Sequence, residues 1–330
     1  MPILSLAEAH TLVAGAFRRC GASPAAADST ARALVAAEAD GLTGHGLSRV
    51  PSYAAQLRTG KVVGDAEIVV THPRPGLLAI DAGHGFAYPA LDAALATLPD
   101  LARHQGIAAA GIRRSHHCGA AGLPVEKLAE AGCIAILFAN TPAAMAPWGG
   151  SRAVFGTNPL AFGCPLPGRA PIVIDLALSK VARATIVGAK QRGEAIPEGW
   201  ALDAEGHPTT DPAAALDGTM APLGDAKGTA LALMVELLAA GLTGARFAAE
   251  ASSFLDAAGD PPGTGQLVLA IDASALSPGA PERFAVLAAA IEDQDGTRLP
   301  GSRRLALRAR AVVDGLMLPD ALFSEIAKLG

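Results

Sequence analysis

The residues best equipped for chemistry are histidines set among glycines and beside an arginine. Of eight histidines in 330 residues, His45 stands in Gly44-His45-Gly46, where flanking glycines admit backbone shapes that other residues resist, so an imidazole can be aimed into a cleft. Arg49 follows four residues later and Tyr53 four after that, the spacing that stacks side chains on one helix face. Pro51 would clash with the carbonyl four residues back if it lay deep in a helix. The helix therefore begins near Ser48, His45 falls in the lead-in turn, and Arg49 and Tyr53 share a face. In that arrangement a guanidinium fork grips a substrate carboxylate beside an imidazole that donates a proton. The competing reading is an ordinary turn before a helix.

A second cluster, Ser115-His116-His117-Cys118-Gly119, follows an apolar run at 107–112. The carboxyl end of a strand is where α/β sheets place their sites. Cys118, Gly119, Ala120 and Ala121 are small enough for a phosphate to approach backbone N–H groups at a helix N-terminus. A polar loop with one buried histidine is the alternative. A metal site is not expected: adjacent histidines in a turn seldom point the same way, and neither H-E-x-x-H nor a further His/Asp pair at ligand spacing is present. Nor is there a G-x-G-x-x-G dinucleotide fingerprint, since Tyr88 replaces the third glycine after Gly83-His84-Gly85. Gly224-Asp225-Ala226-Lys227-Gly228 is a better phosphate seat, with Lys227 at a helix start; a solvated lysine at a turn competes with it.

These groups need both helices and strands to position them. Ser5 with Glu8 forms a capping box ahead of apolar residues at helical spacing through Phe17, with a stop at Gly21. Ser23-Pro24 opens an alanine-rich helix to about Asp40. After Gly60, short apolar runs predict strands at 77–81, 107–112, 134–139, 154–162, 172–174 and 266–271. The third is apolar almost throughout, as suits a strand covered on both faces. Helices are predicted at 89–105, 124–131, 227–242, 281–293 and 319–329, and the segment 194–218 reads as a long surface loop with a turn at Asp203-Ala204-Glu205-Gly206. The pattern is mixed α/β.

Composition excludes several classes. A net charge of −5 without blocks of one sign leaves no footprint for nucleic acid or an anionic membrane. The apolar stretches fall far short of the roughly 20 residues that span a bilayer. The N-terminus lacks a basic region and an apolar core of signal length, so a cytoplasmic location is expected. Cys20, Cys118, Cys133 and Cys164 lie far apart and read as free thiols. Only 17% of residues are charged and 4% are aromatic, which leaves an alanine-rich surface compatible with an oligomer interface.

Taken in order along the chain, these pieces resemble the type-2 malate/L-lactate dehydrogenase family, which is unrelated to the Rossmann lactate dehydrogenases. The resemblance is carried by Asp40-Gly41 through Arg49 and Tyr53, Ser115 to Gly119, Pro147-Trp148-Gly149-Gly150 and Phe155-Gly156-Thr157-Asn158-Pro159. It continues through Asp175-Leu176-Ala177-Leu178-Ser179, Ile196 to Trp200, Thr209 to Pro212, Gly224 to Gly228 and Pro300-Gly301. It implies a nicotinamide-binding mixed α/β sheet of the family's own, non-Rossmann kind, flanked by helices. On that pattern, 76–274 is the nicotinamide-binding domain, and 1–75 with 275–330 forms a discontinuous helical region for substrate and dimerisation.

The resemblance further implies a homodimer using NADPH or NADH to interconvert a 2-oxo acid and a 2-hydroxy acid of sulfolactate, malate or lactate type. His45 matches the proton donor, Arg49 the carboxylate clamp, and His117 a second histidine at substrate or cofactor. Thr157 matches a substrate contact, and Tyr53 is grouped with the substrate residues. Thr141, Asp175, Leu176, Ala177, Ala226, Lys227, Gly301, Arg303 and Arg304 match cofactor-contacting positions. Two departures bear on substrate. Many relatives have serine where Gly44 stands, and cyclic-imine reductases of the family carry an aspartate where Thr185 stands. The relay of the imine enzymes is thus missing, which places a 2-oxo acid ahead of a cyclic imine carboxylate. Arg183 could supply a second positive charge for a sulfonate or second carboxylate, or else pair with an acidic neighbour. A metal-dependent hydrolase and a non-catalytic metabolite-binding protein are the alternatives from other classes.

Overall fold

The computed structural model describes residues 1–329, and its first helices start where the capping residues stand. After β1 (Ile3–Leu4), α1 (Leu6–Arg19) opens on a reciprocal box in which Ser5 Oγ accepts from the Glu8 N–H and the Glu8 carboxylate accepts from the Ser5 N–H. α2 (Pro24–Ala39) has Ser23 as N-cap and Pro24 in its first turn. The two helices are held by Val13, Phe17 and Leu34, all fully buried, each contributing about 1.5–3 kcal/mol of apolar burial. Two 3₁₀ turns, Thr43–His45 and Leu47–Arg49, lead into α3 (Val50–Thr59). Pro51 sits in the first turn of α3, so His45 is in the lead-in as expected.

The middle of the chain builds the sheet. β2 (Val69–Arg74) was not expected: it is exposed throughout and contains Pro73, so no burial pattern marks it. β3 (Leu77–Asp81), α4 (Ala87–Gln105), β4 (Ile107–Ser115), α5 (Gly122–Glu130) and β5 (Cys133–Ala139) follow close to their expected positions. The strand expected at 154–162 is displaced. β6 spans Leu160–Leu166 and β7 spans Arg169–Leu176, while 154–159 leaves the ladder because Asn158 adopts φ 39° and Gly156 abuts Thr141.

Beyond the sheet the expected loop at 194–218 is instead a small folded unit. α6 (Arg183–Arg192), β8 (Ala201–Leu202), β9 (Pro208–Thr209), α7 (Pro212–Asp217) and β10 (Thr219–Met220) surround Ile186, Ile196, Ala201 and Met220. Two-residue strands are too short to show a period, and α6 mixes β-branched residues with Gly188 and has no side-chain N-cap. The turn at Asp203 to Gly206 joins β8 to β9 as read. α8 (Ala226–Glu236) ends earlier than expected and passes into a π-helical turn, Leu237–Gly241.

β11 (Thr264–Asp272) completes the main sheet. Among the described residues that sheet has seven strands in the order β2-β3-β4-β11-β5-β6-β7, with only β3 and β4 parallel. β5 is covered on both faces: α4 and α5 bring Leu91, Leu98, Val125 and Leu128 to one side, α8 and the π turn bring Val235 and Ala239 to the other. A Cβ on Gly265 would lie 2.0 Å from the Ala239 carbonyl oxygen, so only glycine lets the π turn approach β11. α9 (Ala280–Glu292) packs on β6, and α10 (Ser302–Asp314), which the sequence did not announce, packs on α2. β12 (Leu316–Met317) pairs with β1, and α11 (Asp320–Lys328) lies against α1 and α3, so the chain ends meet. No helix among the described residues is long and apolar enough to cross a membrane.

Candidate active site

The first functional cluster is delivered by the end of β4. Arg114 there has φ 47° and His84 opposite has φ 62°, joined by the His84 N–H to the Arg114 carbonyl. Left-handed backbone at two such residues is strained. The Asp81 carboxylate holds it, accepting from Arg114 Nε at 2.7 Å and pairing with Arg113 at 3.2 Å. The kink turns the chain so that Ser115, His116 and His117 enter the interior, all nearly or fully buried.

His117 and His45 face one another with rings stacked at 5.2 Å between centroids. Tyr53, fully buried behind His117 and not on the cleft wall, puts its hydroxyl 2.6 Å from His117 Nδ1 and 3.3 Å from the Tyr88 hydroxyl. That hydrogen bond fixes the His117 ring orientation. Burial lowers the His45 pKa to about 4, with the nearby Arg49 charge adding to it. Burial brings His116 to about 3 and drives His117 well below its ordinary value, again with Arg49 contributing. All three are neutral at neutral pH.

His45, His117 and Arg49 open into one cleft of about 390 Å³ with Gly44, Thr141, Thr157, Ala177, Arg183 and Phe254. The Arg49 guanidinium is oriented by Nε donating to the Gly44 carbonyl, and Arg183 by Nη2 donating to the Leu216 carbonyl. No carboxylate lines this cleft among the described residues. Thr141 Oγ1 accepts from the Thr157 N–H at 2.9 Å, and a Cβ on Gly156 would fall 2.1 Å from the same oxygen. Behind them Glu236, itself buried, accepts from Asn158 and Asn140 side chains and from the Ala248 N–H. Burial raises the Glu236 pKa, opposed by those donors. Asn158 belongs to a motif read in the sequence, but Glu236 and Asn140 carry no local mark of this support, and neither does Phe254, whose ring lies 5.0 Å from that of His116 and 5.2 Å from that of His117.

The remaining expected residues form a track away from the cleft. At the end of β7 the Asp175 carboxylate accepts from the Gly122 N–H that opens α5, next to Cys118, Gly119, Ala120 and Ala121. The position a Gly301 Cβ would take lies 3.4 Å from the Val173 carbonyl, so the start of α10 meets the same strand. There a second cavity of about 520 Å³ is lined by Arg298, Gly301, Ser302, Arg303 and Arg304, with Asp40 paired to Arg304 on its wall. α10 has no side-chain N-cap, and the Ser302 N–H that opens it donates to the Leu299 carbonyl. Arg304, however, spends its guanidinium on Asp40 and Glu126, beside Arg308. Leu176 is exposed, and Ala226 and Lys227 open α8 outside the cleft. His116 and His117 do not gather with further Cys, Asp or Glu into a group of metal ligands among the described residues.

The fold is a mixed α/β sheet flanked by helices, with an imidazole pair and two arginines in one cleft and a second, arginine-lined cavity at the start of α10. The chain belongs to the malate/L-lactate dehydrogenase family, whose model matches residues 4–327, and it is a nicotinamide-dependent oxidoreductase. It is 52% identical over 324 residues to a (2R)-3-sulfolactate dehydrogenase (NADP(+)) of Chromohalobacter salexigens, covering 98% of this chain and 97% of that protein. It is 40% identical to a Δ1-pyrroline-2-carboxylate/Δ1-piperideine-2-carboxylate reductase of Pseudomonas aeruginosa, covering 99% of this chain and 98% of that one. The crystal structure of a Δ1-piperideine-2-carboxylate reductase from Pseudomonas syringae superposes with a TM-score of 0.95 at 38% identity, covering all of both chains.

Proposed function

We propose that this enzyme interconverts a 2-oxo acid bearing a second anionic group and the matching 2-hydroxy acid, with sulfopyruvate and sulfolactate as the leading pair, using NADP(H). The observation that carries this is the charge of the cleft: Arg49 and Arg183 face it, two neutral histidines line it, and no carboxylate does so among the described residues. Two arginines in one cleft fit two anionic groups on one small substrate. The similarity to a sulfolactate dehydrogenase supports the same choice.

The cofactor's residues are drawn from the track. Arg298 and Arg303, beside Gly301 and Ser302 at the start of α10, suit phosphate groups by charge, and Cys118 to Ala121 give a close backbone approach beside Asp175. Leu176, Ala177 and Thr141 lead from there to the histidines, with Ala226 and Lys227 as outlying contacts. The bound nicotinamide supplies the hydride.

Within the cleft, Arg49 pairs with the substrate carboxylate, Arg183 with the second anion, and Thr157 contacts the substrate. Reduction of the carbonyl carbon leaves charge on oxygen, and His45 gives up a proton as that charge develops. His45 is neutral in the free protein. An anionic substrate offsets the Arg49 charge that, after burial, disfavours imidazolium at His45, so substrate and proton load together. In the oxidative direction His45 is already the free base at any pH above about 4. His117, held by Tyr53, orients the substrate or the nicotinamide amide.

A homodimer is part of the proposal, supported by the exposed apolar residues Leu231, Leu233, Met234 and Leu237 along α8 and its π turn. A cytoplasmic site of action accompanies the use of NADP(H). The test is NADPH oxidation with sulfopyruvate, oxaloacetate, pyruvate and the two cyclic imine carboxylates. Sulfopyruvate should exceed pyruvate in kcat/KM by roughly tenfold or more, the worth of one charge-assisted contact. A preference for an imine overturns the substrate assignment, and no substrate-dependent oxidation with any of them favours a hydrolase or a binding protein.

A further inference from the structure

One wall of the cleft is made by a segment with almost no regular structure. Residues 251–263 form bends and loops, yet Ser253, Phe254 and Leu255 line the cleft and Phe254 covers both His116 and His117. An irregular segment has no ladder to fix it, so its position depends on what its backbone carbonyls meet.

They meet α3 and the residues just past it. Gln56, fully buried, donates from Nε2 to the Phe254 carbonyl and to the Asp256 carbonyl, both at 2.9 Å. Thr59 Oγ1 donates to the Ala257 carbonyl at 3.1 Å. The side chain of Lys61 has no exposed surface, and its ammonium donates to the Ala258 carbonyl at 2.6 Å, to the Asp256 carbonyl at 3.1 Å and to the Asp256 carboxylate at 3.3 Å. An ammonium so far from water is costly unless every proton finds an acceptor. Three acceptors from one short loop meet that requirement, and a displaced loop would leave the charge unpaired.

The same helix has Arg49 as its N-cap residue and carries Tyr53 against His117. α3 thus fixes the clamp, the imidazole and the opposing wall relative to one another. We propose that the 252–258 loop is the specificity wall of this enzyme, with Phe254 limiting the bulk of the substrate chain beside the histidines. Lys61 is the positioning residue that holds Phe254 there through the loop backbone. The ligand class admitted is a short, unbranched 2-oxo acid, and one with a bulky or cyclic side chain is turned away by the ring.

The inference rests on the cleft being the substrate site. The test compares kcat/KM for a bulky 2-oxo acid, phenylpyruvate, with that for the best small substrate of the wild type. Failure of the substrate assignment therefore shows in the wild type, and failure of the wall only in variants. Phe254→Leu should raise the bulky-to-small ratio roughly tenfold or more, the scale at which pocket shape discriminates. Lys61→Met should move the ratio the same way with KM for NADPH unchanged, and Lys61→Met with Phe254→Leu should equal Phe254→Leu alone. If Lys61→Met does not accumulate as folded protein, Gln56→Met removes two of the loop's bonds without touching the charge and is read identically. A ratio within twofold of wild type in Phe254→Leu overturns the wall. A Lys61 or Gln56 variant that loses thermal stability and activity but keeps the wild-type ratio overturns the positioning role.

Discussion

Two regions gather arginines near the protein interior, and they treat them in opposite ways. At the junction of α2, α5 and α10, Arg304 and Arg308 meet Asp40 and Glu126 in four contacts of 2.6–2.7 Å, with both carboxylates nearly or wholly inaccessible. In the cleft, Arg49 and Arg183 have only backbone carbonyls as partners among the described residues, and the neighbouring imidazoles are held neutral. Saturated charge joins helices; the unsaturated charge of the cleft is the part the proposed function assigns to an anionic substrate. Arg304 stands at both features: its guanidinium bolts α10 to Asp40 and Glu126, and the residue lines the second cavity with Arg298 and Arg303.

The largest effect that would sharpen this contrast is at the cleft. His45→Ala should cut kcat by about 10²- to 10⁴-fold in both directions. Its thermal midpoint should stay close to wild type, because His45 Nδ1 has no partner to lose. Retained turnover would remove His45 as proton donor. The reverse pattern belongs to the paired cluster: Glu126→Ala should cost about 3 kcal/mol in denaturant unfolding, because it leaves the Arg304 and Arg308 guanidinium groups to share Asp40 alone. Turnover per folded molecule should remain. A stable Glu126→Ala protein would break the comparison.

A smaller effect probes the cleft's uncharged side. A Cβ on Gly44 meets nothing within 4 Å, so a serine fits there. Gly44→Ser with Thr185→Asp gives the two residue types that the resemblance ascribes to the imine reductases, with the new carboxylate on α6 two residues past Arg183. Its kcat/KM should shift toward cyclic imines over 2-oxo acids by roughly tenfold. An unchanged ratio would show that these two positions do not set the choice.

Local chemistry explains which parts of the molecule the sequence disclosed. Ser5 with Glu8, Ser23-Pro24 and Pro51 act within one helical turn, so the starts of α1, α2 and α3, and the placing of His45 before α3, follow from neighbours in the chain. The strands 77–81 and 133–139 declare themselves by apolar runs. The wall and its supports do not, because Gln56 meets Phe254 across 198 residues and Asn158 meets Glu236 across 78. Tyr53 shows both sides: its helical spacing from Arg49 was legible, but its burial behind His117 depends on β4 arriving from elsewhere. The exposed β2, the two-residue strands and α6 carry too little burial or capping to announce themselves.

The central claim is that the uncompensated charge of the cleft selects a doubly anionic substrate. It is tested most directly by kcat/KM for sulfopyruvate and pyruvate with NADPH, in the wild type and in Arg183→Leu. The account predicts that Arg183→Leu loses roughly tenfold to a hundredfold on sulfopyruvate, the worth of a hydrogen bond to a charged group, and little on pyruvate. Equal losses on both substrates, or none on either, would contradict it.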